Sequence, residues 1–207
     1  MAEQPRPHHR PVTPGERFFD ALEGGADPYR LSEAAERAAT LLVRGAHDAD
    51  DAAVADRVVH LAEAEGLETL AELWAGAPAD SLAGCLWRLY LLRAWVYADP
   101  AGAAAQFEAG RLRVPVARVV AGVAEPPGPE ELKAMVDQVL RGIAEGDFAD
   151  VLFRAAAFAR VVATGRASLP VNPDAGDDAG RMLMLAEQLE SAGHVELDHG
   201  CSDPWAA

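Results

Sequence analysis

The stretch DSLAGCLWRLYLLRAWVYADP (Asp80–Pro100) decides the fold. Asp80 and Ser81 supply capping oxygens at its start, and Asp99-Pro100 stops it, because a residue before proline is pushed out of the helical region. Between these ends the chain is apolar on almost every face. A helix apolar all round belongs inside a helical core rather than on its surface. The segment from about residue 81 to 98 is therefore predicted as the central helix of a compact, irregular all-α domain. Arg88 and Arg93 are the only charges within it, so each needs a partner or a route to solvent.

The same punctuation extends outward in both directions. Thr13-Pro14-Gly15-Glu16 has the form of a capping box with proline at the first helical position, and Gly24-Gly25 closes that helix. Asp27-Pro28 opens a helix running to Gly45, with Leu31, Ala34, Ala38, Leu41 and Leu42 on one stripe. Asp50 begins another, carrying Val54, Val58, Leu61 and Ala62 inward as far as Gly66; a short helix with Leu70, Leu73 and Trp74 follows. Past the central helix, Pro100 starts a helix through Phe107 to Gly110. Pro115–Val123 is read as helix rather than strand because no neighbouring stretch offers a pairing partner. Pro129-Glu130-Glu131 starts a helix with acids complementing its dipole, ending near Gly146. Asp147 caps a second strongly apolar helix stopped by Gly165, and the final helix is expected from about Asp177 to Ala192. These starts are too irregularly spaced for a solenoid of fixed period. The domain reading is a disordered proline-rich segment at 1–12, one helical domain over 13–192, and a flexible acidic tail at 193–207.

Composition narrows the function classes. The 207 residues carry 18 Lys+Arg against 33 Asp+Glu, a formal charge of −15, and Lys133 is the single lysine. Such a chain is repelled by nucleic-acid phosphates and anionic lipid, so no direct nucleic-acid or membrane partner is expected, and a basic protein surface is. The apolar run Leu82–Val96 is too short to cross a bilayer, and the start of the chain lacks an apolar signal region; a cytoplasmic location is the expectation. Two cysteines, Cys85 and Cys201, make no disulfide framework.

The sharpest candidate for a partner- or ligand-binding surface lies on the central helix. Leu86, Tyr90, Arg93 and Tyr97 fall on one stripe, with Trp87 and Trp95 on neighbouring faces. An arginine between tyrosines makes cation–π contacts and can still offer its fork to an anion, and Trp, Tyr and Arg dominate protein–protein hot spots. The competing reading is that the aromatics are core and Arg93 pairs with a carboxylate. Arg154 and Arg160, among Phe148, Phe153 and Phe158, are expected to form structural ion pairs. Two His/acid clusters could take metal: His47, Asp48, Asp50 and Asp51 with Asp56, His60 and Glu63, and His194, Glu196, Asp198, His199 and Cys201. The first fails as an EF-hand, with Ala53 where glycine is needed and Val59 in place of the closing glutamate. The second sits in the expected tail, without the rigid frame of a site. No phosphate-binding, dinucleotide, nucleophile-elbow or HExxH motif is present, and Cys85 is set among leucines. No catalytic residue, resident metal or cofactor is assigned.

The strings FFDALEGGADPYRLSEAAERAATLLVRG, PADSLAGCLWRLYLLRAWVYADP and VARVVAGVAEPPGPEELKAMVDQVLRG resemble a family of small, all-helical actinobacterial proteins commonly labelled DNA-directed RNA polymerase subunit beta. The resemblance covers most of residues 14 to 165 and rests on helical pattern, so it carries over no functional residue. It implies an all-helical fold and a link to the transcription machinery. The leading expectation is a non-catalytic regulatory or interaction protein docking a basic partner, RNA polymerase among the candidates, with self-association open. The alternatives are a helical binder of a small apolar or anionic ligand lined by Trp74, Trp87, Tyr90, Trp95 and Tyr97, and a metal-dependent enzyme using His47, Asp51, Asp56 and His60.

Overall fold

A computed structural model describes residues 28–45, 67–113, 126–140, 147–169 and 178–202. Among them lie seven helices and no strand: α1 (Pro28–Arg44), α2 (Leu67–Trp74), α3 (Leu82–Ala98), α4 (Pro100–Arg111), α5 (Pro129–Leu140), α6 (Phe148–Ser168) and α7 (Asp178–Ser202). The all-α class is as expected. The predicted segments 1–12, Thr13–Gly25, the Asp50 helix and Pro115–Val123 lie outside the described residues.

α3 shows how local sequence and distant packing combine. Ser81 caps it, its Oγ accepting from Gly84 N at 3.0 Å. The two amides before that go to a residue far away in sequence: Leu82 N and Ala83 N donate to the Glu36 carboxylate of α1 at 3.1 and 3.0 Å. The opening amides of a helix have no partner within it, and here each of the first three is satisfied by a side chain. At the far end Asp99 N donates to Trp95 O, and the Asp99 carboxylate then accepts from Gly102 N to cap α4. Leu86, Leu89, Leu92 and Val96 are fully enclosed.

α3 touches every other described helix, as a central element should, but the most extensive packing belongs to α6. Its consecutive residues Ala155 to Ala159 are all fully buried, with α7 along one side and α4 along another. Small side chains allow that closeness. The Gly110 backbone of α4 meets Val161 O of α6, and Gly165 of α6 meets Gln106 O of α4. Gly165 is therefore no helix stop: α6 continues to Ser168, and the glycine serves as a crossing point where a side chain has no room. The tail is corrected likewise. α7 runs ten residues beyond Ala192 to Ser202, and Gly193 lies inside it with the Phe153 ring where a Cβ would stand. No helix among the described residues is long and apolar enough to cross a membrane.

Candidate functional site

The five side chains expected to share one surface are divided among three environments. Arg93 and Tyr97 face α5. Arg93 Nε donates to Asp137 Oδ1, and the Tyr97 hydroxyl donates to Asp137 Oδ2 at 3.1 Å. The Arg93 guanidinium lies 4.4 Å from the Tyr97 ring centre and Lys133 Nζ 4.5 Å from it. The Arg93 and Asp137 side chains are only 14% and 17% exposed, so this carboxylate already occupies the fork that could have received an outside anion. Trp95 is part-buried against Phe158 and covered by the Arg166 guanidinium at 5.0 Å. Arg166 in turn reaches Gln106 of α4 and the Asp178 carbonyl of α7, so this group joins helices. Trp74 is core, its indole N–H donating to Ala35 O at 3.2 Å.

Trp87 and Tyr90 remain on the outer arc of α3, their rings stacked at 5.7 Å. Burial pushes the Tyr90 phenol above its ordinary pKa; Glu68 adds to the rise, Arg93 opposes it, and Glu72 adds again. The two acids of α2 thus hold a negative field on one flank of this arc. Its other flank is formed by α7.

An opening lies on each flank. On the acidic side a cleft of about 330 Å³ separates α1 from the end of α2 and the turn after it, walled by Leu31, Ala35, Leu73, Ala77, Pro78 and Glu72. Leu31 in that wall is 48% exposed. On the other side a groove of about 180 Å³ runs between α3 and α7, with Trp87, Leu91 and Met184 as apolar surface and Arg88, Arg181 and Gln188 as polar edge. Of the aromatics expected to line a ligand pocket, Trp87 is the one that borders either of these two openings. The cleft was not legible in sequence, because its walls come from separate helices: Leu31 and Ala35 of α1 and Glu72 to Pro78 of α2 and the turn after it.

The remaining candidates resolve plainly. Arg154 pairs with Glu131 at 3.2 Å and Arg160 with Glu190, as structural ion pairs. The cluster from His47 to Glu63 lies outside the described residues, and with it the proposed metal-dependent enzyme site. In the second cluster, the His194 ring packs edge-on to Phe153 with Nδ1 2.8 Å from Glu190 O, and Glu196 pairs with Arg44 at 3.0 Å. Among the described residues no three His, Cys, Asp or Glu side chains are placed to hold a metal ion. Burial drives the Cys85 thiol up to about 12, with Glu196 adding to the effect, which keeps it protonated and unreactive. Comparison with known proteins finds no matching family model, curated protein or solved structure.

Proposed function

We propose that the chain is a non-catalytic, regulatory interaction protein that docks a basic protein partner. The observation that carries this reading is the acid-rimmed apolar cleft between α1 and α2. Leu31, Leu73 and Pro78 offer a partner apolar surface, and Glu72 in the wall, with exposed Glu68 one turn earlier, offers charge to lysine or arginine. The overall charge of −15 supports it, since a strongly acidic protein attracts basic surfaces at long range and speeds their encounter. The resemblance of its helical strings to polymerase-labelled proteins makes RNA polymerase the first partner to assay.

The test is capture of partners by the immobilised full chain from native extract at moderate and at high salt, alongside Glu68→Lys/Glu72→Lys. Both positions are exposed, so the double variant should fold as the parent does. A stoichiometric basic protein that is lost at high salt and lost by the double variant supports the reading. Partner capture indifferent to salt and to the charge reversal overturns it.

A further inference from the structure

Most guanidinium groups in the described helices meet a carboxylate: Arg44, Arg93, Arg111, Arg154, Arg160 and Arg181 each have an ion-pair partner. Two part-buried arginines do not. Arg166 is instead covered by Trp95. Arg88 lies on the wall of the α3–α7 groove, its Nε donating to Gln188 Oε1 at 2.7 Å and its Nη1 to Gly84 O at 2.8 Å. Among the described residues Nη2 has no hydrogen-bond partner, and it lies beside an apolar floor. Because Gln188 spends its oxygen on Arg88, its amide N–H₂ remains a donor on the same edge. Arg181, across the groove, is 74% exposed and only loosely held by Asp178 at 3.7 Å.

We infer that this groove binds a small amphipathic monocarboxylate. The carboxylate lies between Arg88 Nη2 and the Arg181 guanidinium with the Gln188 amide as a further donor, and a short apolar body rests on Leu91 and Met184 against the Trp87 ring. The chemistry is complementary on both counts. Leu91 is 41% exposed and Met184 59% exposed, so a ligand covers apolar surface that now faces water. Removing that water strengthens the attraction between guanidinium and carboxylate, which is strong and directional when the fork is preset. A neutral or cationic ligand of the same shape gains the apolar contact and leaves Arg88 uncompensated. The groove and the cleft assigned to a basic protein share no lining residue, so each inference can fail without the other.

Octanoate is the probe, with octanamide and octylamine as shape-matched controls, titrated into the purified full chain by calorimetry and by tryptophan fluorescence. The expected result is saturable octanoate binding at one site, about tenfold or more tighter than octanamide, and weakened about tenfold by Arg88→Gln or Arg181→Gln. Should Arg88→Gln fail to fold, Arg181→Gln and Met184→Glu decide at exposed positions, the latter placing a negative charge on the groove floor. Equal affinity for octanoate and octanamide, binding unaffected by Arg181→Gln and Met184→Glu, or no saturable octanoate binding at millimolar concentration overturns the inference.

Discussion

Replacing Gly165 by alanine sets two effects of opposite sign against each other. Gly165 lies inside α6, where exchange for alanine ordinarily stabilises a helix by about 1 kcal/mol. Here the new Cβ would stand 1.7 Å from Gln106 O, 2.7 Å from Gln106 C and 2.8 Å from Gly110 N, all main-chain atoms of α4. Main chain held in a helix cannot swing aside as a side-chain tip can. Restoring ordinary contact requires α4 and α6 to separate by roughly 1–2 Å, which loosens the stack of Phe107 on Phe158 beside the crossing. Overpacking of this kind costs about 1–3 kcal/mol and sometimes more, and backbone-on-backbone contact belongs at the upper end. After subtracting the propensity gain, a net loss of about 2 kcal/mol remains. For a domain of this size that corresponds to a Tm lowered by roughly 4–8 °C. Thermal unfolding followed by circular dichroism, with urea titration for the free energy, measures it. Gly128→Ala is the control, since nothing lies within 4 Å of its Cβ position. Gly110→Ala should cost a similar amount, and the double variant less than the two together, because one separation of the helices relieves both clashes. A Gly165→Ala protein as stable as the parent, or more so, would refute the packing argument.

Three further outcomes follow from half-buried Glu36 and buried Cys85. Glu36→Ala removes the acceptors for Leu82 N and Ala83 N and should cost about 1–2 kcal/mol in urea unfolding, with Glu36→Gln recovering part through its remaining carbonyl. Cys85, whose thiol is pushed from 9.0 to about 12, should resist alkylation at pH 8 until the chain unfolds, as read by mass mapping of the labelled peptide. Below pH 9 the thiol is protonated in both states and contributes nothing; between about 9 and 12 only the unfolded chain ionises, so stability should fall by about 1.4 kcal/mol per pH unit, and Cys85→Ala should flatten that fall.

What was legible from sequence was whatever neighbours in the chain decide. Ser81, Asp99, Pro100 and Asp147 act on amides within a few residues, so the ends of α3, the start of α4 and the start of α6 follow directly from their identities. Glycine is the instructive failure. Gly165 and Gly193 have the composition of stops, yet both are demanded by a partner helix: one by the α4 backbone, the other by the Phe153 ring. No local pattern separates a glycine that ends a helix from one that admits a neighbour. The candidate site divides in the same way. The periodicity of Tyr90, Arg93 and Tyr97 is real, but the acid that engages Arg93 lies 44 residues away on α5, and the Glu36 carboxylate that completes the α3 cap lies 46 residues before Leu82. Openings such as the cleft and the groove exist only once separate helices are set side by side, so their walls leave almost no trace in any single stretch of chain.

The enclosure of α6 also has a consequence for how the protein is made. The contacts joining α1, α2 and α3, through Trp74 on Ala35 and Glu36 on Leu82, can form as soon as those residues leave the ribosome. α6 is different, because the helix most extensively packed against it, α7, is translated after it. Until those 25 residues emerge, the side of α6 that α7 covers, with Phe153 against His194, is left bare to solvent and to other nascent chains. The interval between synthesis of α6 and arrival of α7 is thus the stage at which the most extensive helix pairing among the described residues is still unmade.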